Sequence, residues 1–229
     1  MKTVRTRAIV LRRTNYGEAD RVLDLLTPDG RMSVMARGVR KEKSKLAGGI
    51  ELFALCDVVV GQGKGDLGVL TSARLVQFYR HILEDYDRMQ FAYEMLAQVT
   101  KASATLDESE WYDIAAEVLA ALDVTTVPLS LVQTWFYVRV SSLLGEELST
   151  VRDYKGDKLV VDKTYRYDST EKGFVEDPRG PITAEHIKIL RLVTAKPLSV
   201  ILQVGGMGQY LAECLDVARR HAALSPVLK

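Results

Sequence analysis

The sequence predicts an α+β chain in two parts, a small closed β-barrel over residues 1–80 and an α-helical domain over residues 81–229. Three observations predict it. Up to residue 80, apolar residues alternate with polar ones or form short β-branched runs between turn residues. From about residue 83 the apolar period lengthens to that of amphipathic helices. The charge changes sign there too: residues 1–50 hold 12 Lys/Arg against 5 Asp/Glu, while residues 83–125 hold 2 against 10. The net charge of +1 for the 229 residues conceals that asymmetry, and a basic first part points to a polyanionic partner.

The barrel strands follow in order. RTRAIVLRRTNY is the first and DRVLDLLT the second, closed by Pro28, Asp29 and Gly30. In RMSVMARG, Met32, Val34 and Ala36 point one way and Arg31, Ser33, Met35 and Arg37 the other. ELFALCDVVVGQG and LGVLTSARLVQFY complete the set, joined by GQGKGDLG. Five strands in about 80 residues, with short turns and one longer loop, predict a closed barrel.

In the second part, RMQFAYEMLAQVTKA places Met89, Tyr93, Leu96 and Thr100 at helical spacing, with Phe91, Met95 and Val99 beside them. ESEWYDIAAEVLAALDV is a second helix with Ser109 as a candidate N-cap. Pro128 opens a third and Gly145 ends it. TAEHIKILRLVTA begins on a Thr cap with Glu185 nearby, and GQYLAECLDVARRHAAL forms the last long helix. Residues 146–181 lose the helical period; Val160, Tyr165 and Tyr167 point to short strands, and Gly156, Gly173 and Gly180 to turns.

The motifs of common catalysis are missing. GxSxG, HExxH and Walker A sequences do not occur. GQGKGDLG lacks the Lys-Ser/Thr that opens a phosphate-loop helix and reads as a hairpin turn. Glu18 and Asp20 in YGEADR read as turn groups, and DESEWYD as a helix start. His81, His186 and His221 have no metal-ligand spacing and read as structural. Cys56 and Cys214 read as buried free thiols. The short apolar run AIVL is no signal peptide, and no run spans a bilayer, which predicts a cytoplasmic protein; the missing motifs and metal-ligand spacings predict a non-enzymatic one without cofactor or metal.

The strongest positive signal is GVRKEKSK, residues 38–45. Arg40, Lys41, Lys43 and Lys45 stand there against Glu42, with Arg37 just before. Loops between barrel strands line the ligand face of such folds, so these five side chains are candidate phosphate contacts. Arg31 leaves the outward side of its strand; Arg5, Arg7 and Arg13 share one parity on the first strand, with Arg12 opposite. Arg12, Arg13 and Arg31 are therefore further candidates. Before residue 80 the only aromatic residues are Tyr16, Phe53, Phe78 and Tyr79, which predicts binding directed at the backbone rather than the bases.

The run from Ala8 to Val60 resembles the N-terminal domain of the RecO family of bacterial recombination mediators. The carrying features are VLRR, YGEADRVL (Tyr16 to Leu23), Thr27 to Gly30, ARGVRKEKSKL (Ala36 to Leu46) and the strand Leu52 to Leu55. PLSLVQTWFYVRVSSLLGEEL and the closing segments resemble the family's helices more faintly. The resemblance implies an OB-fold at 1–80. It also implies a zinc ribbon where residues 146–181 lie, but these contain no cysteine or histidine. The segment therefore reads as a degenerate, metal-free ribbon-like insertion in the helical domain.

The same resemblance implies a function. Family members bind single- and double-stranded DNA and anneal complementary strands. They contact the acidic C-terminal tail of the single-strand-binding protein SSB and, with RecR, help load RecA on SSB-coated DNA. A tail pocket needs a cation beside apolar side chains, which makes Arg139 in WFYVRVSSLL a candidate; Arg219 and Arg220 complement the last helix's dipole. Two other classes stay open from the residues alone: an OB-fold RNA-binding or scaffold protein, and a nuclease.

Overall fold

The computed structural model describes residues 2–63, 65–106 and 108–228, so Lys64 of the Gly-rich turn and Asp107 of the acidic run lie outside the described residues. The chain forms two compact units, Met1–Asp123 and Val124–Lys229.

The first unit begins with five strands: β1 (Lys2–Tyr16), β2 (Asp20–Thr27), β3 (Gly30–Ala36), β4 (Ala54–Gln62) and β5 (Leu67–Phe78). They close as a barrel in the order β1-β2-β3-β5-β4, with β4 returning to β1. All pairings are antiparallel except β3 with β5, which run parallel over Ser33–Met35 and Leu67–Val69. The alternation expected in β3 is present: Val34 and Ala36 are buried and Met32 packs on the same core, with Val10, Leu23, Leu25, Val58 and Val60.

The long β1 serves two neighbours. It pairs with β4 up to Ile9 and with β2 from Ile9 onward. A bulge lies between Val10 and Arg12, where one extra residue breaks the register. This corrects the expected parity of the arginines. Arg12 pairs with Asp24 and so joins the outer side of Arg7, which pairs with Asp57, whereas Arg13 pairs with the core residue Leu23. A period-2 reading cannot see an inserted residue, and one insertion reverses every later side chain.

The β3–β4 connection is anchored at both ends, since Val39 and Ile50 are buried in the barrel core. A short 3-10 turn, Ala47–Gly49, brings Gly49 against β5. A Cβ there would lie 2.5 Å from the Ala73 backbone carbonyl, while one on Gly48 would meet nothing within 4 Å. Gly49→Ala will therefore destabilise this unit by about 1–3 kcal/mol through overpacking, and Gly48→Ala will be near neutral. Urea midpoints of the two variants check this.

The unit continues through α1 (Tyr86–Thr105) and α2 (Glu110–Asp123). Asp85 caps α1 by accepting the Arg88 backbone N–H at 3.1 Å. The buried face of α1 is Phe91, Ala92, Met95, Leu96, Val99 and Ala102. The expected stripe through Met89 and Tyr93 is thus displaced: Tyr93 remains 49% exposed. Both helices contact β1, which explains why Ile9 and Leu11 are buried although neither belongs to the barrel interior. The Ser109 hydroxyl, expected as a cap for α2, donates to the Glu110 carboxylate at 3.3 Å.

The second unit contains α3 (Leu129–Leu143), the hairpin β6 (Tyr165–Asp168) and β7 (Gly173–Glu176), then α4 (Ala184–Ala195), α5 (Leu198–Ile201) and α6 (Leu211–Ala222). Gly145, at φ +84°, ends α3 as expected: its N–H donates to Ser142 and that of Glu146 to Ser141, the Schellman pattern. Thr183 precedes α4, and His186 rather than Glu185 answers it, accepting the Thr183 N–H on Nδ1 at 3.1 Å.

The irregular segment holds a two-stranded hairpin. Val160 lies outside both strands, and Gly173 begins β7 instead of marking a turn. Tyr167 and Phe174 are buried with His221 of α6. The His221 Nε2–H donates to the Glu146 carbonyl at 2.9 Å, which leaves Nδ1 to accept the Tyr167 hydroxyl at 2.7 Å. Without cysteine or histidine in 146–181, the segment lacks the donors of a tetrahedral zinc site; aromatic packing and this hydrogen-bond chain tie the hairpin to α6. Cys56 and Cys214 are free and buried, and burial pushes their thiols up to about 11 and about 12. No helix among the described residues is long and apolar enough to cross a membrane.

Candidate nucleic-acid interface

The basic loop leaves the barrel at a glycine. Gly38 sits at φ +63°, a left-handed conformation that turns the chain sharply after β3. Its N–H donates to the Asp20 carboxylate at 2.6 Å, and the Arg40 N–H donates to the Ala19 carbonyl at 2.9 Å. The Arg40 guanidinium donates to the Gly17 carbonyl at 3.1 Å. Three bonds thus pin the start of the loop to the β1–β2 turn, and Asp20 is a turn group, as its sequence context implies. Further along, Lys41 accepts the Ser44 N–H through its carbonyl, giving the loop a compact turn.

This arrangement places Arg37, Arg40, Lys41, Lys43 and Lys45 on the surface, all exposed. Among the described residues, no hydrogen bond or ion pair engages the side chains of Arg37, Lys41, Lys43 or Lys45. Four uncompensated cations on an anchored loop attract a polyanion, and such charges exchange small counterions for phosphates without first breaking a protein salt bridge.

The other three basic candidates are engaged. Asp24 is buried and shared: Arg12 donates to it at 3.0 Å, Arg31 lies 3.3 Å away, and the Ser33 hydroxyl donates at 2.9 Å. Burial alone would raise the Asp24 pKa; the Ser33 hydrogen bond and the charges of Arg31 and Arg12 outweigh it and hold the carboxyl below its ordinary value. Arg31 also donates to the Thr100 carbonyl at 3.4 Å. Arg13 pairs with Glu51 at 2.9 Å. Arg13 and Arg31 are largely covered, whereas the Arg12 side chain stays 65% exposed.

Arg21 was not singled out by the sequence. Its Nε donates to the Asn15 amide oxygen at 3.1 Å, a neutral partner, so its charge is uncompensated. Its position opposite Asn15 in the β1–β2 hairpin follows from the tight turn YGEAD and was in principle readable.

In the second unit, Arg139 of α3 stacks over Trp135 at 5.8 Å and donates to the Thr194 carbonyl of α4 at 3.1 Å. Its Nε is buried with no hydrogen-bond partner among the described residues. Arg219 lies over Tyr137, and Arg220 pairs with Asp216 and lies over Tyr167. Among the described residues, no group of three or more His, Cys, Asp or Glu is placed to hold a metal ion.

Comparison with known proteins agrees with this geometry. Residues 1–79 match the family model described as Recombination protein O N terminal. The protein named DNA repair protein RecO from Rubrobacter xylanophilus is 30% identical over 146 residues, covering 63% of this chain and 58% of that protein. Its namesake from Dehalococcoides mccartyi strain 195 is 29% identical over 225 residues, 94% of this chain and 87% of the other. The one from a Roseiflexus species is 27% identical over 209 residues, 87% and 72% of the two chains. A barrel with an exposed basic loop, matched by that family model, is followed by a helical unit that is aligned along with it in the longer comparisons: residues 1–79 carry the RecO N-terminal domain, and the chain is similar over 94% of its length to a protein named DNA repair protein RecO.

Proposed function

We propose that this protein is a non-enzymatic recombination mediator. It binds single- and double-stranded DNA through its barrel and anneals complementary strands. With RecR it helps load RecA on DNA coated by SSB. The observation that carries the reading is the anchored loop with four uncompensated cations beside Arg40. The strand order β1-β2-β3-β5-β4 with a parallel β3–β5 pair supports reading residues 1–80 as an OB-fold, a barrel whose loops hold oligonucleotides. The loop cations neutralise phosphates and leave the bases free to find a complementary strand. The hairpin insertion at 146–181 reads as a ribbon that kept its outline without ligands.

Arg139 is proposed as the cation for the acidic SSB tail, because its guanidinium stands beside the Trp135 ring and retains an unpartnered Nε. Its bond to Thr194 must then be shared or exchanged when the tail carboxylates arrive.

If about four to six phosphates are engaged on a single strand, log K will fall with log salt at a slope of about −3 to −4. Replacing Arg40, Lys41 and Lys43 together with alanine will flatten that slope by about 2. An unchanged slope in a folded triple variant would remove the loop from the interface. Annealing of SSB-coated strands, with intact SSB and with SSB lacking its tail, tests the mediator role. Tail-dependent acceleration supports it; acceleration on bare DNA alone leaves an annealing barrel without the partner. Equal affinity for RNA with no SSB effect would favour an OB-fold RNA-binding protein.

A further inference from the structure

Beside the β1–β2 hairpin lies a groove of about 600 Å³ between the barrel wall and α1. Its apolar floor includes Leu11, Leu52, Leu96 and Ala97, and Arg12 and Arg21 stand along it. Tyr93 of α1 also lines it, 49% exposed. The ring is not loose: it meets the buried Phe53 ring edge to face at 4.8 Å. Phe53 itself sits at φ +56°, a conformation that a bulky side chain rarely adopts. The strained backbone places one ring beneath another at the groove, and strain of this kind gathers at ligand sites.

We propose that this groove continues the single-stranded DNA path, with Arg12 and Arg21 on phosphates and the Tyr93 ring against an unstacked base. The inference rests on the reading of the basic loop as a DNA contact. Continuity carries it. Arg40 reaches Gly17 and Gly38 reaches Asp20, so the loop starts against the same hairpin that bears Asn15 and Arg21. Tyr16, 60% exposed, lies on that hairpin between Asn15, which lines the groove, and Gly17, which holds Arg40. The path thus alternates cations with aromatic rings, as proteins that hold single strands do. A duplex keeps its bases stacked and gains nothing from Tyr93. An acidic peptide would satisfy the arginines too, but nothing in that chemistry calls for continuity with the loop.

The test measures binding of a labelled oligothymidine and a mixed-sequence duplex across a salt series. The variants are Tyr93→Leu, Arg21→Gln and the triple loop variant Arg40→Ala/Lys41→Ala/Lys43→Ala. Tyr93→Leu should weaken the single strand about tenfold with its salt slope unchanged, and leave the duplex alone. Arg21→Gln should reduce the single-strand slope by about 0.7. If both variants bind the single strand as the parent does while the triple variant is impaired, the groove proposal fails and the loop reading stands. If the triple variant is also unimpaired, both fail. If Tyr93→Leu and Arg21→Gln instead lose only an acidic peptide with an apolar C-terminal residue, the groove is a peptide site and the proposal is overturned. Photocrosslinking of an iodouracil-substituted oligonucleotide to the unaltered protein needs no variant to fold: adducts at Tyr93 or Tyr16 support the path, and adducts confined to the loop refute it.

Discussion

Replacing His221 with leucine will cost the second unit about 2–4 kcal/mol. The imidazole is 2% exposed and makes two hydrogen bonds, to the Tyr167 hydroxyl and the Glu146 carbonyl. Leucine fills much of the space but leaves a buried hydroxyl and a buried carbonyl without partners, at about 1–3 kcal/mol each. Tyr167→Phe leaves only Nδ1 unpaired and will cost roughly half as much. The same site makes the unit acid-sensitive. Burial pushes the His221 pKa below its ordinary 6.5; the Glu146 carbonyl works in the other direction without overcoming it. As pH falls below 6.5, the unfolded chain binds the proton first, so stability declines until pH passes the folded-state value. Thermal melts between pH 8 and 5 check both points. His221→Leu should remove most of that decline, and an identical decline in variant and parent would place the acid sensitivity elsewhere.

Asp24→Ala will have an effect of similar size on the barrel unit, about 3 kcal/mol. Removing the carboxylate leaves Arg31, whose side chain is only 23% exposed, with the Thr100 carbonyl as its remaining partner. A covered charge that loses its counter-charge is costly, whereas the exposed Arg12 loses little. The Asp24 contribution is fully present above the ordinary carboxyl pKa of 3.8 and fades as pH falls through the lower folded-state value. The urea midpoint will fall by an amount that added salt barely changes, because the pair is shielded from solvent. Single-strand affinity should move the other way. Freed of Asp24, Arg12 meets its phosphate without first breaking an ion pair, so the single strand binds more tightly with its salt slope nearly unchanged. A stable Asp24→Ala protein would mean that Arg31 finds another partner.

The five strands were legible because a barrel that covers one face writes a period of two into the chain, as in Val34–Ala36 and Cys56–Val58–Val60. The basic loop was legible because four cations against one glutamate need no fold to be noticed. The helix end at Gly145 could be read because only a left-handed turn requires a glycine there. Other features were hidden. The bulge after Val10 reversed the sides of Arg12 and Arg13, and period alone carries no mark of an inserted residue. Tyr93 falls at core spacing on its helix, yet its ring is half exposed in a groove against the barrel wall.

Charge, period and turn chemistry are local properties, so the order of elements, the closed barrel and the basic loop follow from the residues in sequence. Which charges are free is a property of neighbours brought together across long separations. Arg31 meets Thr100 69 residues away, Arg13 meets Glu51 38 away, and His221 meets Tyr167 54 away. Only packing could divide eight candidate cations into those engaged with carboxylates and carbonyls and those without such a partner among the described residues.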